Sequence, residues 1–323
     1  MGKTLVAVAD SPFPNLNPAE AVLSELDAEM VMADEPTLEG ILKVAAEADG
    51  LMVTYGQITA DVIKGLKKCK VIGRFGLGVD NIDIDAATKA GIAVVYVPDY
   101  CIDEVSDHAM AMLLDLARKV SFSNSLVQAG RWEMPAVTPL SRLRGRTLGL
   151  AGLGQIPRAV APKAQSFGLK VIAYDPFVDN EVAKALDVEL VDLDTLLESS
   201  NYVSVHVPMM PETEKMFGAD AFKKMKADAL LVNTARGPLV DTDALAEALD
   251  AGEIGGAALD VMPVEPPGAD HPLLGRDNVI LSPHTGFYSI EALEELQTKT
   301  ARGVIDVLQG NTPVYPINPE VLK

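Results

Sequence analysis

The sequence predicts an α/β protein made of two doubly wound parallel-sheet domains, on three observations. At 323 residues and roughly 150 residues per domain, the chain has the length of about two domains, each able to bury its own core. Apolar residues make up 48% of the chain and aromatics only 5%. They fall in short runs rich in Val, Ile, Leu and Ala, the composition of strands covered on both faces. These runs alternate with stretches of helical spacing, which calls for parallel strands joined by helical crossovers.

In the first hundred residues, strand-like runs at 4–9, 51–54, 71–74 and 92–97 alternate with helical patterns near 19–26, 38–48 and 84–90. A second series of strands is read at 147–151, 170–175, 202–207, 229–234, 256–260 and 279–281, with helical stretches such as 158–167 and 242–251 between them. Six strands with intervening helices is the count of a dinucleotide-binding sheet. Residues 103–120 carry Val105, Ala109, Met112, Leu113 and Leu116 at helical spacing, and are expected to form the long helix that joins the domains. Residues 290–308 are again helical in pattern, ahead of a tail with Pro313, Pro316 and Pro319. A helix so late in the chain is expected to pack back on the first domain. The expected division is therefore 1–100 plus 290–323, and 101–289, with a cleft between the two.

Composition narrows the function. The net charge of −19 repels phosphate backbones and anionic lipid, so neither nucleic acid nor membrane is an expected partner. An acid substrate would have to be captured by a few local cations. No apolar run is long enough to span a bilayer, and the N-terminal run stops at Asp10 without the apolar core of a secretory signal. A cytoplasmic protein is expected. Cys69 and Cys101 form neither a disulfide framework nor a metal pair, and no metal is expected.

The run Arg146-Thr-Leu-Gly-Leu-Ala-Gly152-Leu-Gly154-Gln155-Ile156-Pro157 places two glycines after a strand and before a helix, the context expected of a dinucleotide site. Gly152 would make the tight turn and Gly154 would let the backbone approach a pyrophosphate. The N–H groups of Gln155 and Ile156 at the helix start would then face its charge. Pro157 stands where a third glycine usually allows the helix to pack closely on the strand. Asp175 ends the next strand at the spacing of about 20 residues expected for the acid that binds the adenosine ribose. A carboxylate there would repel a 2′-phosphate, favouring NAD over NADP. Bare of context, the same glycines also read as an ordinary βα turn, and Asp175 as an ordinary strand-end acid.

Three chemically apt residues follow three strands: Arg236 after Leu-Leu-Val-Asn-Thr-Ala, Glu265 after Ala-Leu-Asp260-Val-Met-Pro-Val, and His284 after Val-Ile-Leu-Ser-Pro. Reducing a keto acid needs a proton donor at the carbonyl oxygen and a cation for the carboxylate. His284 can donate, Arg236 can hold, and Glu265 can orient the imidazole and favour its protonated form. Each alone also reads as a surface ion-pair or loop residue. Asp260 is read either as a partner of the nicotinamide carboxamide or as a strand-end turn residue. His206 is assigned to the adenosine side, and His108 and His271 to structure. In the first domain, Arg74-Phe-Gly76-Leu77-Gly78 is a glycine-rich turn whose N–H groups can cradle a carboxylate with Arg74 adding charge. A tight turn with a surface Arg is the other reading.

Together, Arg74-Phe-Gly-Leu-Gly-Val-Asp-Asn-Ile-Asp83, Gly152-Leu-Gly-Gln-Ile, Tyr174-Asp-Pro, Asn233-Thr-Ala-Arg-Gly237, Ala258-Leu-Asp-Val-Met-Pro-Val-Glu-Pro266 and Ser282-Pro-His284 resemble the D-2-hydroxyacid dehydrogenase family over nearly the whole chain. The resemblance implies a Rossmann-type cofactor domain, a flavodoxin-like discontinuous substrate domain, and a homodimer. It implies NAD as cofactor, a small 2-keto or 2-hydroxy acid as substrate, and Arg236, Glu265 and His284 as the catalytic trio. It adds Pro208, Thr213, Thr234, Ala235 and Gly286 to the cofactor residues, and Tyr55 and Phe287 to the substrate residues. For Tyr55, a plain packing role is the alternative.

The stretch 284–289 looks more like the branch containing the C-terminal-binding proteins, where a Trp stands in place of Phe287; an NAD(H)-sensing binding protein is accordingly the alternative function. Formate dehydrogenases carry Gln at the position of Glu265, which argues against formate. The added regulatory domain of many phosphoglycerate dehydrogenases is not expected from these residues, which disfavours a feedback-controlled enzyme of that kind.

Overall fold

A computed structural model describes residues 3–322, and the chain divides into two compact units, residues 1–101 with 288–323, and residues 102–287. The first unit begins with β1 (Thr4–Val8), α1 (Asn17–Leu23), β2 (Ala28–Met32), α2 (Leu38–Ala45) and β3 (Gly50–Val53). It continues through α3 (Ala60–Gly65), β4 (Val71–Arg74), α4 (Ile84–Lys89) and β5 (Ala93–Val95). The second unit opens with α5 (Ile102–Arg118) and α6 (Val120–Gln128), then runs β6 (Thr147–Ala151), α7 (Gln155–Ser166), β7 (Lys170–Tyr174), α8 (Asn180–Ala185) and β8 (Glu189–Leu190). It ends with α9 (Leu193–Ser199), β9 (Tyr202–Val205), α10 (Ala219–Lys224), β10 (Leu230–Asn233), α11 (Thr242–Ala251), β11 (Gly256–Leu259) and β12 (Val279–Leu281). The chain then returns to the first unit as α12 (Ile290–Leu308).

The five-stranded sheet has the order β2-β1-β3-β4-β5 with every pair parallel, the flavodoxin-like order. Alternate strand residues face opposite sides, and both sides are covered. Ala7, Leu51, Val53, Ile72 and Val94 meet α2, α3 and α4 on one side. On the other, α12 settles closely because β4 and β3 carry glycines: a Cβ on Gly73 would lie 2.7 Å from Val304 Cγ2, and one on Gly50 would lie 3.3 Å from Val304 Cγ1. The tail behind α12 pairs with the edge of β5, Ile317 N–H donating to Val94 O at 2.8 Å. Asn318, 2% exposed, accepts from Val94 N–H at 2.7 Å and donates to Ile92 O at 3.0 Å and Thr88 Oγ1 at 2.9 Å.

The seven-stranded sheet has the order β12-β11-β10-β9-β6-β7-β8, again all parallel. This is the doubly wound dinucleotide-binding order with one further strand, β12, beyond β11. One face packs α5 and α7 over Leu148, Leu150, Ala173, Val232 and Ala258. The other packs α9, α10 and α11 over Val203, Val205, Leu231, Ala257 and Leu259.

Two edge strands depart from the sequence expectation. Residues 28–32, AEMVM, form β2, whose side chains are half exposed; two Met and an Ala carry little strand preference, so the pattern had no signal. β8 is two residues long. The two long helices and α11 match the apolar periodicity closely because long amphipathic segments carry the strongest pattern. Among the described residues, no helix is long and apolar enough to cross a membrane.

Asn318→Ala leaves the Val94 N–H of β5 and the Ile92 carbonyl ahead of it without this partner, and is expected to lower the free energy of unfolding by about 3 kcal/mol. The loss is read as a fall in the urea midpoint; an unchanged midpoint would mean that the tail adds nothing to the fold of the first unit.

Candidate active site

In the second unit, the strands β10, β11 and β12 lie side by side in parallel register, Asn233 opposite Leu259 and Leu259 opposite Leu281. The loops bearing Arg236, Glu265 and His284 therefore leave one edge of one sheet. His284 Nδ1 and Glu265 Oε2 are 2.7 Å apart, with side chains 27% and 36% exposed. Glu265 Oε1 accepts from Met262 N–H at 2.9 Å, which fixes the carboxylate on its own loop. Burial raises the Glu265 carboxyl, but the hydrogen bond and charge of His284 and the Met262 N–H outweigh it, and the group is held below the ordinary carboxylate value.

Arg236 is set by its neighbours. Asn233, fully buried at the end of β10, donates to Arg236 O at 2.8 Å and accepts from Ala235 N–H at 3.0 Å, so the loop is folded tightly before the Arg. Its guanidinium donates to Ala235 O at 2.8 Å. Gly237 then brings this loop against that of Glu265: a Cβ there would lie 2.0 Å from the Met262 carbonyl carbon. No side chain but hydrogen fits, which is why Gly follows Arg.

His284 has φ +54, a left-handed conformation that side-chain-bearing residues rarely adopt. Its N–H donates to Asp260 O at 2.8 Å and Ser282 O at 3.0 Å. The Asp260 carboxylate, 2% exposed, accepts from Ser282 Oγ at 2.5 Å, Thr285 N–H at 2.9 Å and Gly286 N–H at 2.8 Å. His108 Nε2, on α5, lies 3.3 Å from the same carboxylate. Burial raises the Asp260 carboxyl, while the bonds donated by His108, Ser282, Thr285 and Gly286 more than offset that and hold it below its usual value. Asp260 is thus first an organiser of the His284 loop, a duty the sequence reading did not give it. Phe287 sets its ring edge-on to that of His284, with centroids 6.2 Å apart.

At the other half of the same sheet edge, Gly152 has φ +99 and a Cβ on it would lie 2.9 Å from His206 C, so its lack of a side chain serves close approach of β6 to β9 as well as the turn. Gly154 caps α7 without a side-chain bond, and a Cβ there would meet nothing within 4 Å. Asp175 accepts from Leu153 N–H at 2.8 Å and Phe177 N–H at 2.9 Å, one on each oxygen. Pro157 is buried on the inner side of α7 and the helix runs through it, as its place in the first turn allows. His206 Nε2 meets Ser204 Oγ at 2.8 Å, and burial pushes its pKa down to about 3, so it is a neutral imidazole. Among the described residues, Thr234 Oγ1 is buried with no hydrogen-bond partner.

These residues fit NAD. The open space at Gly154 ahead of a helix start suits a pyrophosphate, each Asp175 oxygen retains acceptor capacity for a hydroxyl, and the Thr234 hydroxyl awaits a partner.

Three of the polar groups expected to meet a ligand have partners within the chain. Gly286 N–H is committed to Asp260. Thr213 Oγ1 donates to Pro208 O at 2.6 Å and accepts from Met210 N–H at 2.9 Å, closing its own loop. In the first unit, Gly76 N–H donates to Arg74 O at 2.9 Å, and the Arg74 guanidinium folds over Gly76 to bond Phe75 O. The expected nest thus loses Gly76, leaving the Leu77 and Gly78 amides. Tyr55, exposed, sits on a loop whose N–H groups at 54, 55 and 56 all donate to Asp10 at 2.7–3.0 Å. Sequence reasoning missed Asp10, Asn233, Ser282 and His108 in these duties. Asn233 alone had a signal, a polar residue closing an apolar strand.

The model of the D-isomer specific 2-hydroxyacid dehydrogenase NAD-binding domain matches residues 110–286. The chain belongs to this family. It is 40% identical to D-3-phosphoglycerate dehydrogenase of Methanocaldococcus jannaschii over 92% of the chain and 56% of that protein. With the glyoxylate reductase of Thermofilum pendens it shares 39% identity over 89% of the chain and 86% of the relative. The crystal structure of D-lactate dehydrogenase from Aquifex aeolicus complexed with NAD and lactic acid superposes with a TM-score of 0.89 at 27% identity, covering 98% of this chain and 99% of that one. The chain spans about half the length of the phosphoglycerate dehydrogenases it matches.

Proposed function

We propose that the chain is an NAD-dependent oxidoreductase that interconverts a small 2-keto acid and its D-2-hydroxy acid, and that Arg236, Glu265 and His284 carry the chemistry. The observation that carries this reading is the 2.7 Å pairing of His284 with Glu265 beside the Arg236 loop. Bound NAD supplies or accepts the hydride. His284 delivers the proton to the carbonyl oxygen of the keto acid, and takes it back from the hydroxyl in the reverse direction. Glu265 fixes the tautomer and stabilises the imidazolium. Arg236 holds the substrate carboxylate and the charge developing on oxygen. Phe287 borders the His284 ring and limits the substrate side chain. Tyr55, Leu77, Gly78 and Arg74 of the first unit belong to the proposal as substrate residues, on the strength of the family resemblance. The dehydrogenase and reductase names of the relatives favour catalysis over NAD(H) sensing alone.

Dimerisation is a further part of the proposal. The second unit exposes Trp132 (89%) and Met134 (71%), close behind Val120 and Val127 of α6, apolar surface of the kind a second copy covers. Light scattering is expected to give twice the chain's mass, and the double substitution Trp132→Ser, Met134→Ser to give a monomer; a monomeric parent protein contradicts this.

With NADH and a panel of glyoxylate, hydroxypyruvate, phosphohydroxypyruvate, pyruvate and bulkier keto acids, Arg236→Ala is expected to lose at least about 100-fold in kcat/KM. Its NADH affinity should stay within a few-fold; equal loss of both would move Arg236 out of the reaction centre.

Glu265→Gln removes the titrating carboxylate of the pair, and the pH profile for reduction is expected to change with it. The acid limb set by the Glu265 carboxyl, itself held below the ordinary carboxylate value, should disappear. A profile unmoved by the substitution would refute the pairing as a functional one.

A further inference from the structure

His108 belongs to none of the steps above, yet from α5 its side chain reaches the core of the His284 loop, where Met112 Sδ of the same helix also stands 4.0 Å from Ser282 Oγ. Its Nε2 lies 3.0 Å from Ser282 Oγ and 3.3 Å from Asp260 Oδ1. Its ring carbons stand 3.2–3.5 Å from where a Cβ on Gly286 would be, so the imidazole also fills the space that this glycine leaves. Ser282 Oγ donates to Asp260 Oδ1 at 2.5 Å, which leaves the hydroxyl oxygen as the acceptor for a proton on His108 Nε2. The resulting order of donation is His108 Nε2–H to Ser282 Oγ–H to Asp260 Oδ1. The Asp260 carboxylate in turn takes the Thr285 and Gly286 N–H groups, and its backbone oxygen takes the N–H of His284, a residue held at positive φ.

We propose that His108 is a positioning residue for His284: through Ser282 and Asp260 it sets the backbone of residues 282–286 and hence the angle at which the His284 ring is presented. The proposal rests on the catalytic assignment of His284 made above. It gives the loop two supports, the Glu265 carboxylate on the ring itself and the α5 imidazole on the side chains that hold the backbone. The strained backbone of His284 makes the second support necessary, because a left-handed residue persists only where its surroundings over-determine it. Glutamine can replace the donor, its amide nitrogen standing near the place of Nε2, whereas leucine fills the volume without donating.

The test compares the parent protein with His108→Leu, His108→Gln and Ser282→Ala. With NADH and the best keto acid of the panel, His108→Leu and Ser282→Ala are expected to lower kcat about tenfold, the fold-change of one lost buried hydrogen bond. KM for the keto acid and the NADH dissociation constant should stay within threefold, and His108→Gln should recover kcat to within threefold of the parent. An unchanged kcat in His108→Leu overturns the proposal, as does equal loss in the Leu and Gln variants. A second readout does not depend on turnover. The chain has four histidines, so their ring nitrogen resonances can be assigned by single substitution. The His284 signals should move in His108→Leu and stay in place in His108→Gln. A parent protein without turnover on any keto acid defeats the enzymatic reading, and the resonances then decide the positioning of His284 by themselves. Unmoved His284 signals in His108→Leu overturn it.

Discussion

The parallel register of β10, β11 and β12 is the constraint on which the site depends. Each strand ends at the same level, so three loops distant in sequence emerge side by side. Gly237 makes this proximity tight, since its backbone meets that of Met262 and Pro263 with no room for a methyl group. A shift of one residue in the pairing would turn alternate side chains to the wrong face of the sheet, and both faces are packed with apolar residues. The apolar core therefore protects the register on which the proposed site depends.

Around His284 the structure concentrates polar groups that would be costly if left unmet. Asp260 is buried and accepts bonds from two loop amides and a hydroxyl, with the His108 imidazole beside it. In return it holds the residue whose backbone is strained. The same sheet edge divides by chemistry. Near β6 and β9, bare backbone and a helix start leave room for a phosphate-bearing cofactor. Near β10 to β12, charged side chains gather. In the proposed reaction a hydride reaches the carbonyl carbon and a proton its oxygen, and the two halves of this edge suit those two tasks.

Much of this was legible beforehand for physical reasons. Short Val-, Ile- and Leu-rich runs separated by helical periodicity specify parallel strands, and Gly152-Leu-Gly154 between strand and helix specifies a turn with exposed amides. The placement of Arg236, Glu265 and His284 at one sheet edge was readable because each follows a strand; their roles belong to the proposal. What was not legible was which polar atoms the fold uses for itself. The Gly286 amide, the Thr213 hydroxyl and the Gly76 amide look available in a sequence, and each is engaged by a neighbour that only the folded chain reveals. His108 lies 174 positions from Ser282; nothing in the local pattern of a helix announces a partner so remote. β2 escaped notice because an edge strand half open to solvent needs neither strong alternation nor β-branched residues.

The central claim is that one imidazole, held by one carboxylate, works beside one guanidinium at this edge. A crystal structure with NADH and oxamate, an unreactive analogue of a 2-keto acid, tests it most directly. The account requires the oxamate carboxylate on the Arg236 guanidinium and its amide carbonyl oxygen within hydrogen-bond reach of His284 Nε2, with the Glu265 bond to Nδ1 intact. Oxamate seated away from both residues, or a His284 ring turned from Glu265 in the complex, would contradict it.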